Sequence, residues 1–188
     1  KILKIPGKHN ISNALAALYL GRHLGIAQAD ILKALGRFTG AWRRFELMGM
    51  LNGAPVFNDY GHHPSEIKAT LAAARERFPF RRILCLYQPH QYQRLQYLWH
   101  DFIGAFDGAD TIALMPVYDV AGRETPAARK AVNSCKLAGE LVKRGKHAEY
   151  ASTFAAAKKW IKNTLKKGDV MLIMGAGDID KLAREIVR

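Results

Sequence analysis

The sequence has few cysteines: Cys85 and Cys135 are the only two among 188 residues. Small secreted domains without a large core carry a framework of four or more cysteines, which this chain lacks. One disulfide is possible, but two thiols favour a reducing, cytoplasmic setting. Cys85 lies in the apolar run Ile83–Tyr87, the pattern of a buried strand, so we predict an ordinary buried thiol there.

Long apolar runs are also missing, since none approaches the ~20 residues that a membrane-spanning helix needs. No signal peptide opens the chain. Hydrophobic residues make up 49% and charged residues 24% of the sequence, a balance typical of a globular protein without membrane contact. The length suits one ordinary domain with a small appendage. The chain begins with Lys1, which suggests a piece of something longer.

Acidic residues are scarce beside basic ones, with 16 Asp and Glu against 29 Lys and Arg, and the net charge is +13. Such a charge attracts anions, of which nucleic acid is the first candidate. The basic residues are nevertheless spread along the whole chain, without a zinc-finger, helix-turn-helix or RNA-recognition motif. We therefore favour a solvated basic surface, then phosphate-bearing small molecules, and only third a basic nucleic-acid-binding α/β domain.

The pattern of apolar residues changes near residue 40. Residues 1–40 have helical spacing, whereas residues 41–188 alternate between strands and helices, among them a helix at 95–106 and a strand at 170–174. Asn52-Gly53 lies between two apolar stretches and predicts a type I′ hairpin. Short connections between the later strands and helices predict an α/β fold: a mostly parallel, Rossmann-like sheet of about six strands flanked by helices, preceded by a short helical segment.

Parallel sheets bind ligands at the carboxyl ends of their strands, so the loops that follow strands are the candidate sites. We expect the polar side chains around Asp59, His62 and Arg94 to converge at one rim of the sheet. In the first loop, Asp59 is suited to accept hydrogen bonds from ribose hydroxyls, or it anchors the turn. His62 is suited to bind a carboxylate or carry a proton near neutral pH. For these two residues we favour function, whereas for His63 we expect a helix cap.

The other two loops are less specific. In the second, His90 and Arg94 offer an imidazole and a guanidinium that suits a carboxylate, although Arg94 is equally compatible with a surface arginine. The third, Gly175–Asp178, resembles half of a dinucleotide fingerprint, but Asp180 stands where the last glycine belongs. We therefore expect a strand-to-helix turn there, which disfavours an intact nucleotide-cofactor enzyme.

Two earlier clusters complete the set. Asn10 and Asn13 lie three residues apart at the start of a helix, and their amides offer the donor and acceptor of an adenine edge. The alternative for Asn10 is a helix N-cap. Arg43 and Arg44 close the linker, where a guanidinium could reach a phosphate or form an interdomain salt bridge.

Five motifs occur here in the order found in Mur ligases: HNxxNALAA (9–17), RRFE (43–46), NDYGHHPSEI (58–67), QPHxYxR (88–94) and GAGDI (175–179). The chain thus resembles the Mur ligase family over nearly its whole length. The DYGHHP and QPH elements are most similar to its L-alanine-adding members. The murein-peptide ligases, which share the HHP element, are the nearest alternative.

The resemblance implies a role for each matching residue. It implies two catalytic residues, Arg44 and His62. The residues that it implies for ATP binding are His9, Asn10, Asn13, Arg44 and Asp59, with the asparagines near adenine, Arg44 near the γ-phosphate and Asp59 near the ribose. Those that it implies for amino-acid binding are Tyr60, His62, His90 and Arg94.

The reaction that the resemblance implies is ATP-dependent addition of L-alanine to UDP-N-acetylmuramate in peptidoglycan synthesis, through an acyl phosphate. No phosphate-binding G-x-x-x-x-G-K-[ST] loop is present, and no metal ligand is predicted. Residues 1–40 then resemble the tail of the central ATP-binding domain, and 41–188 the carboxyl-terminal domain. We expect Mg²⁺ to be bound mainly by the missing central domain, and the fragment alone to be inactive.

Two positions depart from the family pattern. Gln91 stands where the L-alanine-adding enzymes usually carry an arginine, which removes one guanidinium from the implied amino-acid site. Asn58 replaces the usual aspartate before Asp59, a milder change.

Overall fold

A computed structural model describes residues 2–122 and 124–187. The helices are α1 (Lys8–His23), α2 (Gln28–Arg37), α3 (Pro64–Arg77), α4 (Tyr92–Tyr97), α5 (Trp99–Ile103), α6 (Pro126–Ala131), α7 (Ser134–Lys143), α8 (Phe154–Thr164) and α9 (Ile179–Ile186). The strands are β1 (Glu46–Leu51), β2 (Ala54–Asp59), β3 (Ile83–Tyr87), β4 (Thr111–Leu114), β5 (His147–Tyr150) and β6 (Val170–Met174).

The six strands form one sheet in the order β1-β2-β6-β3-β4-β5. Only β1 pairs antiparallel, and the other four pairings are parallel. Asn52 and Gly53 join β1 to β2 with φ angles of 52° and 77°. Positive φ at both residues is what a type I′ turn requires, so the predicted fold class and hairpin are confirmed.

Helices cover both faces of the sheet, because strand side chains alternate and the central strands are apolar throughout. On one face Cys85 and Tyr87 pack with residues of α3, α5 and α7. On the other face Leu84 and Leu86 pack with residues of α8 and α9. Both cysteines are free thiols; Cys85 is buried, as predicted, and Cys135 is exposed.

The three candidate loops meet at one rim of this sheet. β6 lies between β2 and β3, and Asp59, Met174 and Tyr87 occupy the same level of the register. The loops that follow these three strands therefore leave side by side. The convergence expected from the sequence is confirmed.

The segment 2–40 contributes little to the core. Its buried residues are Pro6, Gly21 and Ile31. A Cβ on Gly21 would lie 2.7 Å from Cδ1 of Ile31, so this glycine permits α1 and α2 to approach closely. Large apolar side chains of α1 and its end remain exposed, among them Ile11, Leu15, Tyr19, Leu20 and Leu24.

One predicted helix, 95–106, is divided in the structure. It begins earlier, at Tyr92, and is interrupted at Leu98, which closes α4 and precedes α5. Within residues 2–122 and 124–187, no helix is long and apolar enough to cross a membrane.

Candidate functional site

A cavity of about 960 Å³ lies between the segment α1–α2 and helix α3. Its walls include apolar side chains of α1, α2 and α3, such as Ala17, Ile31 and Ala73. Its polar lining contains all five residues that the family resemblance implied for ATP: His9, Asn10, Asn13, Arg44 and Asp59. The volume falls within the range of small-molecule sites, about 300–1,000 Å³.

The two asparagines stand at the amino-terminal end of α1. Gly7, rather than Asn10, is the N-cap residue, so the N-cap alternative for Asn10 is wrong. Asn10 Nδ2 donates to the carbonyl oxygen of Pro6 at 2.6 Å, and Asn13 Nδ2 donates to Asn10 Oδ1 at 3.4 Å. The Asn10 side chain thus tethers the chain before the helix and orients Asn13.

Asp59 ends β2 and is nearly buried. Its two carboxylate oxygens accept hydrogen bonds from the N–H groups of Gly61 and Phe45, each at 2.8 Å. Burial raises the pKa of Asp59, while these N–H groups and the charge of Arg44 oppose the rise. The structure shows the anchoring role directly, and the role toward a ribose stays a prediction.

The adjacent arginines of the linker differ in environment. Arg43 is buried, and its Nη2 donates to the carbonyl oxygens of Gly175 and Gly177. Its guanidinium also lies 4.9 Å from the centre of the Tyr60 ring. The side chain of Arg44, in contrast, is 55% exposed and faces the cavity.

Arg44 forms its ion pair with Glu66 of α3, with 3.7 Å between Nη1 and Oε1. Both residues belong to 41–188, so this pair does not join the two predicted regions, and an interdomain salt bridge of Arg44 stays an untested alternative. Of the two arginines, Arg44 is therefore the one positioned to meet a ligand in the cavity.

His63 is the N-cap of α3, as expected. Its Nδ1 accepts from the N–H of Ser65 at 3.2 Å, and the carboxylate of Glu66 accepts from the N–H of His63 at 2.9 Å. The two contacts form a capping box, with Pro64 at the first helical position. The cap fixes the direction in which the preceding loop, with His62, leaves the sheet.

The four residues implied for amino-acid binding form one cluster. The rings of Tyr60 and His62 meet edge to face at 5.4 Å, and those of His62 and His90 lie 5.8 Å apart. Arg94 Nη1 is 3.4 Å from His90 Nδ1. Burial lowers the pKa of His62, and the charges of Arg94 and Arg44 lower it further against the opposing effect of Glu66. His62 is therefore mainly neutral at pH 7.

Sequence reasoning missed two contributors to this cluster. The ring of Tyr118 stacks on His90 at 5.4 Å, and the Tyr118 carbonyl oxygen accepts from the N–H of Gln91 at 3.0 Å. Tyr118 follows β4, so the rule that pointed to the other loops would also have found it. Glu66 joins Arg44 to His62, and its place three residues after a helix cap was its only sequence signal.

The side chain of Gln88 forms hydrogen bonds with the turn that follows β6. Gln88 Oε1 accepts from the N–H of Ile179 at 3.1 Å, and Gln88 Nε2 donates to Asp178 at 2.9 Å. A Cβ on Gly177 would lie 2.6 Å from Gln88 Oε1, so glycine is required for this contact. The segment is the strand-to-helix turn that we expected.

The two residues that depart from the family pattern, Gln91 and Asn58, occupy defined structural positions. Gln91 is the N-cap of α4 with a φ of 70°. Asn58 is fully buried, and its Nδ2 donates to Asp180 Oδ1 at 2.6 Å. An aspartate at 58 would bring a second carboxylate against Asp180, so the asparagine suits the residue that interrupts the glycine fingerprint.

These features define a class: an open α/β domain whose ligand-facing side chains lie at the carboxyl ends of its strands, beside a cavity closed by a helical segment. Comparison with known proteins gives the family. The sequence profile described as "Mur ligase, glutamate ligase domain" matches residues 43–177, and the chain belongs to the Mur ligase family.

Its similar relatives include L-alanine-adding ligases. The chain is 42% identical over 185 residues to UDP-N-acetylmuramate–L-alanine ligase of Bdellovibrio bacteriovorus, covering 98% of this chain and 40% of the relative. It is 46% identical over 187 residues to the ligase of that name from Agrobacterium fabrum, covering 97% and 38%. The chain thus spans about two fifths of the length of the curated relatives it matches.

Solved structures agree. The crystal structure of UDP-N-acetylmuramate–alanine ligase from Thermotoga maritima matches with a TM-score of 0.80 and 32% identity, covering 98% of this chain and 38% of that one. A murein peptide ligase from Psychrobacter arcticus matches with a TM-score of 0.66 and 23% identity, covering 98% and 37%, which shows the fold alone. The family resemblance predicted from the motifs is confirmed.

Proposed function

We propose that this chain supplies the amino-acid site and part of the ATP site of a ligase that adds L-alanine to UDP-N-acetylmuramate in peptidoglycan synthesis. The observation that carries the proposal is that the residues implied for ATP and those implied for the amino acid lie next to each other. Five residues implied for ATP line one cavity, and the four implied for the amino acid cluster beside it. The names of the relatives cited above support the same substrates.

The expected chemistry has two steps. A carboxylate oxygen of UDP-N-acetylmuramate attacks the γ-phosphorus of ATP, which forms an acyl phosphate and releases ADP. The amine of L-alanine then attacks the acyl carbon, and the C–O bond to phosphate breaks as the amide forms and the amine loses a proton. Phosphate is released, so atoms and charges balance.

Arg44 is proposed to act on the first step. Its half-exposed guanidinium lines the cavity and pairs with the Glu66 carboxylate at 3.7 Å. A guanidinium placed against the transferring phosphoryl group stabilises the negative charge that develops on its oxygens. The family's Mg²⁺ would be held mainly by the missing central domain, as the family resemblance implies.

Arg94 and His62 are proposed to act on the second substrate. Arg94 is suited to pair with the alanine carboxylate through two parallel hydrogen bonds. His62, mainly neutral because burial lowers its pKa, is suited to accept the proton that the amine loses or to bind the carboxylate once it is protonated. His90 and Tyr60 flank it on either side.

The domain division is part of the proposal. Residues 1–40 would be the tail of the central ATP-binding domain, and 41–188 the carboxyl-terminal domain. Since the chain has no phosphate-binding glycine-rich loop, we expect no turnover from it alone. Addition of the purified remainder of the ligase should restore phosphate release that depends on L-alanine.

The sharper test uses the full-length ligase with Arg94→Ala. We expect KM for L-alanine to rise at least about tenfold, because a charge-assisted pair is lost, while KM for ATP stays within about twofold. Arg81→Ala is the matched control, since Arg81 is exposed at the other end of β3, and it should change neither value. Phosphate release with a murein peptide but not with L-alanine would favour the murein-peptide ligase alternative and contradict the proposal.

A further inference from the structure

Glu66 is the carboxylate that contacts both candidate ligand groups. On one side, Oε1 lies 3.7 Å from Nη1 of Arg44, which lines the cavity. On the other side, Oε2 lies 3.5 Å from Nδ1 of His62, which belongs to the amino-acid cluster. The half-buried side chain of Glu66 therefore lies between Arg44, the candidate phosphate ligand, and His62, the candidate amino-acid ligand.

The backbone contacts of Glu66 do not require its charge. Its Oε2 accepts from the N–H groups of His62 and His63, both at 2.9 Å, as part of the capping box of α3. Glutamine performs the same capping function at this helical position. The substitution Glu66→Gln should therefore keep the cap and remove only the charge.

Glu66 is ionised at neutral pH. Burial alone would raise the pKa of Glu66, but the N–H groups of His62 and His63 and the charges of His62 and Arg44 bring it below its ordinary value. In the surroundings of His62 the opposing influences are Arg44 and Arg94, which disfavour its protonation, and Glu66, which favours it. His62 also faces the titratable ring of His90 and the ring of Tyr60, and its backbone carbonyl oxygen accepts from the Tyr87 hydroxyl.

We propose that Glu66 is a positioning residue that couples phosphate binding at Arg44 to amino-acid binding at His62. When a terminal phosphate engages Arg44, that guanidinium leaves Glu66, and the carboxylate then serves His62 alone. The imidazolium form of His62 becomes more populated and binds an amino-acid carboxylate more tightly. This inference rests on the proposed function, because it assigns the phosphate and the amino acid to these two groups.

Coupling of this kind is reciprocal, since each ligand changes the affinity for the other by the same factor. Known couplings are typically about 5- to 150-fold. The contacts of Glu66 with Arg44 and His62 are only partly buried, so we expect a coupling factor at the lower end of this range, about fivefold. The effect should require the terminal phosphate, because only that group is expected to reach Arg44.

The experiment measures Kd of L-alanine for the full-length ligase at saturating UDP-N-acetylmuramate. Three conditions are compared: no nucleotide, ADP, and the non-hydrolysable ATP analogue AMPPNP. In the wild type, AMPPNP should lower Kd about fivefold and ADP less than twofold. In Glu66→Gln the factor for AMPPNP should fall to about one, with Tm unchanged within a few degrees.

A second readout is the pH dependence of the same Kd. In the wild type, AMPPNP should shift the pH at which alanine affinity declines upward, because His62 keeps its proton to higher pH when Arg44 is withdrawn. Glu66→Gln should abolish that shift. His63→Ala is the matched control, since it removes the side-chain acceptor of the cap but keeps the charge of Glu66, and it should retain the coupling factor.

The outcomes separate the two proposals. A wild-type ligase without alanine-dependent phosphate release from ATP would reject the proposed function itself. An active wild type whose coupling factor is unchanged in Glu66→Gln, or is equally large with ADP, would overturn the role of Glu66 and leave the function standing.

Discussion

Two neighbouring arginines have different roles because one is buried and the other is exposed. Arg43 and Arg44 are adjacent, yet the first donates to carbonyl oxygens of the turn after β6 and the second reaches the cavity. Their backbone differs as well, with a positive φ of 53° at Arg43. The left-handed conformation turns the two side chains into different environments. Arg43 therefore stabilises the linker, and Arg44 is available to chemistry.

Alanine substitutions should separate these roles. Arg43→Ala should lower the free energy of unfolding by about 2–4 kcal/mol, because buried carbonyl groups lose their donor and Tyr60 loses its packing partner. Arg44→Ala should change it by no more than about 0.5 kcal/mol, as expected for an exposed ion pair. Urea denaturation of this chain measures both values, and equal losses would contradict the assignment.

The sequence predicted the roles of residues whose contacts lie close along the chain or at the ends of strands. His63 was identified as a cap because it precedes a proline and a helix, and Asp59 because it ends a buried strand. Asp59, His62 and Arg94 were expected to converge because parallel strands end at one rim. Arg43 was not assigned its contacts, since it meets Gly175 across 132 positions. No local pattern encodes a meeting at that separation.

At the scale of elements, the apolar runs predicted the strands well. β3 and β6 are buried at every residue, and a continuous run of branched and sulphur-containing side chains suits a strand covered on both faces. The division between α4 and α5 was missed, because Leu95, Leu98 and Phe102 keep helical spacing across the break. Periodicity reports which face is buried and not whether the hydrogen bonds continue.

The turn before β6 is held by an ion pair that should depend on pH. Asp169 accepts from Arg82 Nε at 3.1 Å and Nη2 at 2.7 Å, and from the N–H of Lys166 at 2.8 Å. Burial alone would raise the pKa of Asp169, but these donors bring it below its ordinary value. A carboxyl whose pKa is lower when folded stabilises the protein above its unfolded pKa, about 3.9, and loses that effect as pH falls.

Asp169→Asn should therefore lower the free energy of unfolding by about 1–3 kcal/mol at pH 7. The difference from wild type should shrink as pH falls below about 4, where the wild-type carboxyl takes up its proton. Asp107→Asn is the matched control, because Asp107 pairs with Lys146 at 2.9 Å but is 77% exposed. Urea midpoints at pH 7 and pH 3.5 provide the measurement, and a constant difference would rule out the ionic origin.

At the scale of the whole molecule, the two parts of the chain differ in how they are held. Residues 54–187 contain nearly all the buried apolar side chains. In α1, Leu15 and Tyr19 are 59% and 80% exposed, and its C-cap Leu24 is 67% exposed. An apolar helix face of this kind normally packs against other protein. The proposed assignment of 1–40 to a neighbouring domain accounts for a helix whose large apolar side chains are uncovered here.

The domain boundary can be tested by truncation. A chain of residues 41–188 keeps Arg43, the complete sheet and both helical layers. Of the buried residues that the structure describes in 2–40, it loses Pro6, Gly21 and Ile31. We expect it to unfold cooperatively, with a free energy of unfolding reduced by less than about 3 kcal/mol, the value of one fully buried isoleucine. The cavity would lose the wall that contains His9, Asn10 and Asn13, so affinity for adenine nucleotides should fall with little loss of fold.

The matched control removes a similar element from the other end. A chain of residues 1–174 lacks α9, whose Ile179, Leu182 and Ala183 are fully buried against the sheet. Loss of these side chains should cost several kcal/mol and expose one face of β6, so we expect this chain to aggregate or remain unfolded. Aggregation or unfolding of the 41–188 chain would contradict the proposed boundary. It would mean that residues 1–40 are needed for folding, whereas a segment of another domain should contribute to the site and not to the core.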